Sequence, residues 1–202
     1  MNRPGTDRSN ARPPGLPAGL RDLLAAGGRT IGAAPVDRWN PAFCGRIDMR
    51  IAADGRWFYM GSEIRREALV RLFASVLRKD EDGQTYLVTP VEKVAITVED
   101  APFLAVEMQV DGEGDEQVIG FRTNVGEVVT LDANHALRVE TDPENEGLKP
   151  YLGVRGRLEA LLSRSVTGEL VALAESEDDG AETVLFVMSS GKRFEIGRVG
   201  HE

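Results

Sequence analysis

The chain predicts an α+β fold: two duplicated domains of mainly antiparallel sheet, each carrying one helix. Three observations lead there. The first is an internal repeat: residues 46–70 lie on residues 138–162 at an offset of 92 without a gap, and eight of the 25 positions are identical. These are Arg46/Arg138, Gly55/Gly147, Tyr59/Tyr151, Gly61/Gly153, Arg65/Arg157, Glu67/Glu159, Ala68/Ala160 and Leu69/Leu161. Chance gives about one or two identities at a random offset, and a repeat of this length reads as duplicated domains rather than a solenoid. The second observation is alternation, with Ile47, Met49 and Ile51 on one face of a strand and Arg46, Asp48 and Arg50 on the other. The third is helical spacing: Leu69, Leu72, Phe73, Val76 and Leu77 fall at i, i+3, i+4, i+7 and i+8.

In order along the chain, residues 1–35 read as a leader, disordered or partly helical. Four prolines crowd residues 1–18, and an amphipathic piece over 20–26 stops at Gly27-Gly28. The first domain is expected over 36–112. A strand over 45–52 turns at Asp54-Gly55 into a second over 56–60. Ser62 then offers an N-cap for a helix ending near Lys79. Strands over 84–89, 94–98 and 104–110 follow, with Pro90 and Pro102 at strand starts, where a missing amide is tolerated. The second domain is expected over 113–202. It opens with strands over 117–123 and 127–131, joined through Asn124 and Gly126. The second copy then reads as strands over 136–141 and 150–154 and a helix over 157–174. Acidic residues 175–179 with Gly180 close that helix, and a hairpin over 183–188 and 192–196 ends the chain. Connections this short exclude repeated parallel crossovers.

Composition narrows the function classes. Of 202 residues, 42% are hydrophobic and 28% charged, and no apolar run approaches the roughly 20 residues of a spanning helix. No membrane association is expected. The N-terminus lacks an apolar secretory region, and the single cysteine, Cys44, excludes an internal disulfide. Cys44 reads as a small buried hydrophobe, and the protein as cytoplasmic. Charge is uneven. Residues 1–46 hold seven arginines and three aspartates, net +4, while the remainder carries 17 basic and 30 acidic residues, net −13. A body this acidic repels polyphosphate, which argues against bulk nucleic-acid binding but not against a small anion gripped locally.

The phrases Gly45-Arg46-Ile47-Asp48-Met49-Arg50-Ile51, Trp57-Phe58-Tyr59-x-Gly61, Tyr86-Leu87-Val88-Thr89-Pro90-Val91-Glu92-Lys93 and Val98-Glu99-Asp100-Ala101-Pro102-Phe103 resemble a bacterial domain-of-unknown-function family, DUF1285. Phe121-x-Thr123-Asn124, Asp132-x-x-His135-x-Leu137-Arg138-Val139 and Tyr151-x-x-Val154-Arg155 extend the resemblance across residues 36–198. It implies two related α+β domains, the second superficially like a pleckstrin-homology fold, with a cleft between them that takes a small, nucleotide-like ligand in signal transduction. Cys44 and Ala136 depart from the family pattern, which has a small or acidic residue and a proline there.

Candidate site residues form four groups. Glu92 and Lys93 follow Thr89-Pro90, where a bend would hold both charges in place; the plainer reading is a charged surface strand. Asp100 precedes Ala101-Pro102, and its position before that turn either aims the carboxylate or makes it a local backbone acceptor. His135 with Asp132, Asn134 and Arg138 has the form of a base with an orienting carboxylate, or of a structural turn. Arg46, Arg50, Arg138, Arg155 and Arg164 have planar forks suited to phosphate or carboxylate, unless they are spent on acids such as Asp48, Glu140 and Glu159. Asp48 is also a candidate, and Asn124 joins Glu92 and His135 as a group that fixes the ligand's orientation. No catalytic, metal or cofactor motif is present, and no cofactor is expected. The leading expectation is therefore a non-enzymatic protein holding a small anionic or nucleotide-like ligand between its domains. A protein-interaction adaptor is the alternative, and a hydrolase using His135 comes third.

Overall fold

The computed structural model describes residues 15–25, 33–143 and 147–200; the disordered stretch expected over 1–18 lies mostly outside them. The chain first builds a six-stranded sheet from β1 (Phe43–Ile51), β2 (Trp57–Tyr59), β3 (Ser62–Glu63), β4 (Leu77–Lys79), β5 (Thr85–Val88) and β6 (Lys93–Val98). Residues 99–102 carry it into a second sheet of β7 (Phe103–Asp111), β8 (Val118–Thr123), β9 (Val128–Thr130), β10 (Leu137–Thr141), β11 (Leu148–Arg155) and β12 (Leu158–Leu162). A third sheet holds β13 (Glu175–Asp178), β14 (Glu182–Ser189) and β15 (Lys192–Gly200). The α-helices among the described residues are α1 (Ala18–Ala25), α2 (Glu67–Ser75) and α3 (Arg164–Leu173). The class is α+β with mainly antiparallel pairing.

The two large sheets share one plan. Their orders are β3-β2-β1-β6-β5-β4 and β9-β8-β7-β12-β11-β10. In each, two antiparallel three-stranded meanders join through one parallel pair, β1 with β6 and β12 with β7. In that plan β1 corresponds to β7 and β4 to β10. The sequence repeat instead lays β1 on β10, and the correspondence already fails in the register of the first hairpin. Tyr59 pairs with Met49, whereas Tyr151 pairs with Arg138. Glu67, Ala68 and Leu69 lie in α2, while Glu159, Ala160 and Leu161 lie in β12.

Two helix expectations are corrected. The first helix is shorter than its apolar pattern. Ser62 lies in β3 opposite Tyr59, and Val76 ends α2 by donating to the Phe73 carbonyl. Leu77 then enters β4 opposite Leu87. Leu77 is fully buried as a strand residue, so the pattern that suggested a helix is satisfied by either conformation. The second helix begins late. Leu158, Ala160 and Leu162 are buried in alternation with Glu159 and Leu161, the period of a strand. α3 starts only after Ser163, whose hydroxyl accepts the Val166 N–H. Residues 175–178 are likewise not a helix end but β13, an edge strand against β14. Cys44, expected inside, is exposed on β1.

One core runs through both large sheets, from Trp57, Phe73 and Leu87 to Phe103, Phe121 and Leu152. Trp57 stacks on Phe73 at 6.4 Å, which fixes α2 against the first sheet. Each such side chain contributes about 1.5–3 kcal/mol by leaving water. The third sheet is tied on by polar groups as well. The buried Ser189 hydroxyl donates to the Leu131 carbonyl at 2.7 Å and accepts the Ile119 N–H at 3.0 Å.

Candidate functional site

Three sets of polar ties join the second sheet to the first or to the linker between them, and Asn124 packs against the first sheet at Gly55. The Asp100 carboxylate accepts from Lys149 Nζ at 2.8 Å and from the Tyr151 hydroxyl at 2.7 Å. Arg155, on β11, pairs with Glu127 and donates to the Ala74 carbonyl, at the end of α2, at 2.5 Å. Arg157 reaches Glu81 at 2.8 Å. Asn124 Oδ1 accepts the Leu104 N–H at 3.1 Å, and its amide nitrogen stands where a Cβ on Gly55 would come within 2.8 Å. Gly55 has φ +79°, so glycine is needed there twice over, for conformation and for approach.

Among the described residues, two hollows flank this seam and another opens beside it on the first sheet. One, of about 90 Å³, lies between Val36, Leu77–Asp80 and the Arg155–Leu158 turn. It is rich in cations, but Arg78 is spent on Asp80 and on the carbonyls of Val36 and Trp39. A second, of about 240 Å³, is lined by Trp57, Ile64, Val70 and Asn124 with Arg56, Arg65 and Arg71. Those three arginines pair with Asp54, Glu63 and Glu67. The third, also about 240 Å³, is walled by Arg46, Lys79, Gln84, Thr85, Thr97 and Asp100.

The third hollow differs in its free charge. Arg46 donates to Gln84 Oε1 at 2.8 Å and to the Ile96 carbonyl at 3.2 Å, both neutral acceptors. Neither Arg46 nor Lys79 forms a salt bridge among the described residues. The neighbouring acids are engaged elsewhere. Asp80 holds Arg78 and Lys93, and Asp100 holds Lys149 and Tyr151. The lining therefore presents two cations that no carboxylate pairs directly among the described residues, in a chain of net charge −9.

Comparison with known proteins places the chain. Residues 34–101 match the family model described as Domain of unknown function (DUF1285), N-terminal domain, and residues 102–196 match Protein of unknown function (DUF1285), C-terminal domain. The chain belongs to the DUF1285 family. A crystal structure of a DUF1285 family protein from Silicibacter pomeroyi is 46% identical, with a TM-score of 0.80, covering 88% of this chain and 95% of that one. Another DUF1285 family structure, from Shewanella baltica, is 28% identical over 61% of this chain and 90% of that one, with a TM-score of 0.49. A search of curated proteins found no match.

In this DUF1285 chain the candidate residues are dispersed. Arg46 and Asp100 share the third hollow, Asn124 lines the second and Arg155 the first. Arg50 pairs with Glu99 and lies 4.3 Å from the Phe58 ring, while Asp48 is exposed on the same strand. Glu92 is buried and accepts the Leu20 N–H at 3.0 Å, and Lys93 bonds Asp80 at 3.0 Å over the Tyr86 ring. Arg138 grips Glu159 through two bonds of 2.9 Å, pairs with Glu140 and lies over Tyr151. Its Glu159 bond holds the guanidinium pKa above its ordinary value. None of these three hollows brings Arg138 to Arg46. Arg164 is exposed at the start of α3.

His135 occupies a turn. Asp132 accepts the N–H groups of Asn134 at 2.7 Å and His135 at 2.9 Å, and the His135 ring at 3.1 Å. The Asn134 bond leads in lowering the Asp132 pKa. No hydroxyl or thiol hydrogen-bonds the ring among the described residues. Among these residues too, no group of three or more His, Cys, Asp or Glu is placed to hold a metal, and no helix is long and apolar enough to cross a membrane.

Lys79, Gln84, Thr85 and Thr97 are the hollow's members that sequence reasoning missed. Only Thr97 left a trace, as the polar residue between Ile96 and Val98 in an alternating strand. Lys79 looked like a helix end.

Proposed function

We propose that this protein is a non-enzymatic binding protein for a small anion, held in the Arg46–Lys79 hollow on the first sheet, beside the linker that leads to the second. The observation that carries the reading is the pairing state of the cations. Most arginines around the seam are neutralised by carboxylates, whereas Arg46 is held only by neutral oxygens, with Lys79 beside it. An arginine oriented by Gln84 and the β6 backbone presents its fork without a competing acid. Lys79 adds a second charge, and Thr85, Thr97 and Gln84 supply hydrogen-bonding groups. About 240 Å³ lies below the range of drug-sized ligand pockets. It suits an ion the size of phosphate or a short dicarboxylate, or the phosphate end of a larger molecule. One wall is Asp100, whose carboxylate also holds Lys149 and Tyr151 of the second sheet. Occupancy of the hollow would thus bear on the contact between the sheets, the means by which a binding event is read at a distance.

The test is calorimetry and thermal shift of the full chain with inorganic phosphate, sulfate, succinate and adenosine monophosphate, in wild type and Arg46→Met. At 100 times its dissociation constant a ligand adds about 2.7 kcal/mol of stability. Stabilisation by one class that disappears in Arg46→Met supports the reading. No stabilisation across the panel, or stabilisation equal in both proteins, refutes it.

A further inference from the structure

Glu92 is a carboxylate only 7% exposed, and its described side-chain partner is the backbone N–H of Leu20, 72 residues away, at 3.0 Å. That N–H is one of the first-turn donors that no residue within a helix can satisfy. The residue before α1 is Pro17, whose side chain has no acceptor, so the body of the protein supplies the cap that the leader lacks. The fit beside it is close. A Cβ on Gly19 would come within 2.9 Å of Glu92 Oε1 and 3.0 Å of Val91 Cγ2, and closer still to Thr89 Oγ1. Thr89 has little freedom to move, because its hydroxyl accepts the Glu92 N–H at 3.2 Å and donates to the Glu92 carbonyl at 3.3 Å. Leu16 and Leu20, 3% and 0% exposed, fill the apolar surface alongside, and Leu23 and Leu24 lean on the core. Leu20 to Glu92 is the hydrogen bond by which residues 15–25 are tied to the body among the described residues.

We infer that α1 is a strap: it seats as a unit on a receptor formed by the 89–92 turn and the apolar surface beside it, and it leaves as a unit while the sheets stay folded. The receptor is built without it. The turn is closed by Thr89 N–H to the Glu92 carbonyl at 2.9 Å, and its strands pair independently of α1. Glu92 and Gly19 form the catch. Release uncovers a carboxylate and the surface under Leu16 and Leu20, which makes the strap a conformational switch in the first sheet.

Arg21, exposed on α1, is a trypsin site that is cut only when the helix opens. The experiment compares full-length wild type, Gly19→Val, Glu92→Ala and Glu92→Gln by tryptic cleavage at Arg21 and by hydrogen exchange. In wild type, the Leu20 amide should exchange at least tenfold faster than the Leu87 amide of β5, under conditions where the sheets remain protected. Gly19→Val and Glu92→Ala should speed cleavage at Arg21 about tenfold, the population change expected when a cap is lost, without altering sheet exchange. Glu92→Gln, which keeps an acceptor oxygen, should lie near wild type. The inference is overturned if Leu20 exchanges only with global unfolding, or if the variants open the sheets and the leader together. Wild-type exchange decides the matter even where a variant fails to fold.

Discussion

Replacing Asp100 by alanine tests the tie between the two large sheets. Its side chain is 18% exposed and accepts two bonds from the second sheet, Lys149 at 2.8 Å and Tyr151 at 2.7 Å. A hydrogen bond to a charged group contributes about 1.5–3 kcal/mol. The Lys149 ammonium is 27% exposed, so after the substitution water takes it back and the ionic part falls towards the surface range of about 0–1 kcal/mol. Tyr151 has no such escape. It is buried, and leaving its hydroxyl unpaired costs about 1–3 kcal/mol. The expected loss is therefore about 2–3 kcal/mol, and about half that for Asp100→Asn, which keeps one acceptor. Urea unfolding followed by tryptophan fluorescence and circular dichroism measures it, with an unchanged slope showing that the native state is intact. The pH dependence has a definite sign. The bond from Asp100 raises the Lys149 pKa above its ordinary value. A raised folded pKa means that this stabilisation is complete below the unfolded pKa of about 10.4 and is lost as pH climbs through the folded value. The gap between wild type and Asp100→Ala should thus be constant from neutrality to about pH 10 and narrow above it. A loss below about 0.5 kcal/mol at pH 7, or a gap that widens above pH 10, would refute the argument.

Two further substitutions probe the seam and the third sheet. Gly55→Ala places a Cβ at φ +79° against Asn124 and Leu104, and should cost about 2–3 kcal/mol in the same urea assay. A cost under 1 kcal/mol would mean the seam yields easily. Ser189→Ala strands the Ile119 N–H and one of the bonds at the Leu131 carbonyl, for about 1–3 kcal/mol. Hydrogen exchange should show Val187 and Phe194 opening ahead of Leu87, and equal opening would place the third sheet in the same cooperative unit as the first.

The residues that were legible from sequence are those whose local pattern matches their final environment. Ile47, Met49 and Ile51 alternate and lie in β1, and Asp54-Gly55 turns the chain as its glycine demands. The reading failed where one pattern serves two conformations. Leu77 at helical spacing and Leu77 in a strand are equally buried, and only the partner strand β5 decides between them. The run Leu158 to Leu162 is ambiguous in the same way until β7 and β11 flank it. The candidate site divided along similar lines. Arginine is a chemically suitable residue wherever it occurs, so sequence selected Arg46 and Arg138 alike. Whether a guanidinium is already neutralised depends on what folding brings beside it: Glu159 for one, Gln84 for the other.

The sequence by itself determined that this is an α+β protein with many antiparallel strands, because alternation and turn chemistry are local and survive in one dimension. The tertiary structure decided the rest. It showed that the duplication is one of strand order, with β1 answering to β7 instead of β10. It gave Glu92 to the leader helix and left Arg46 without an acid. Long-range pairing and charge neutralisation are properties of neighbours distant in the chain, and no periodicity within a segment encodes which neighbours those are.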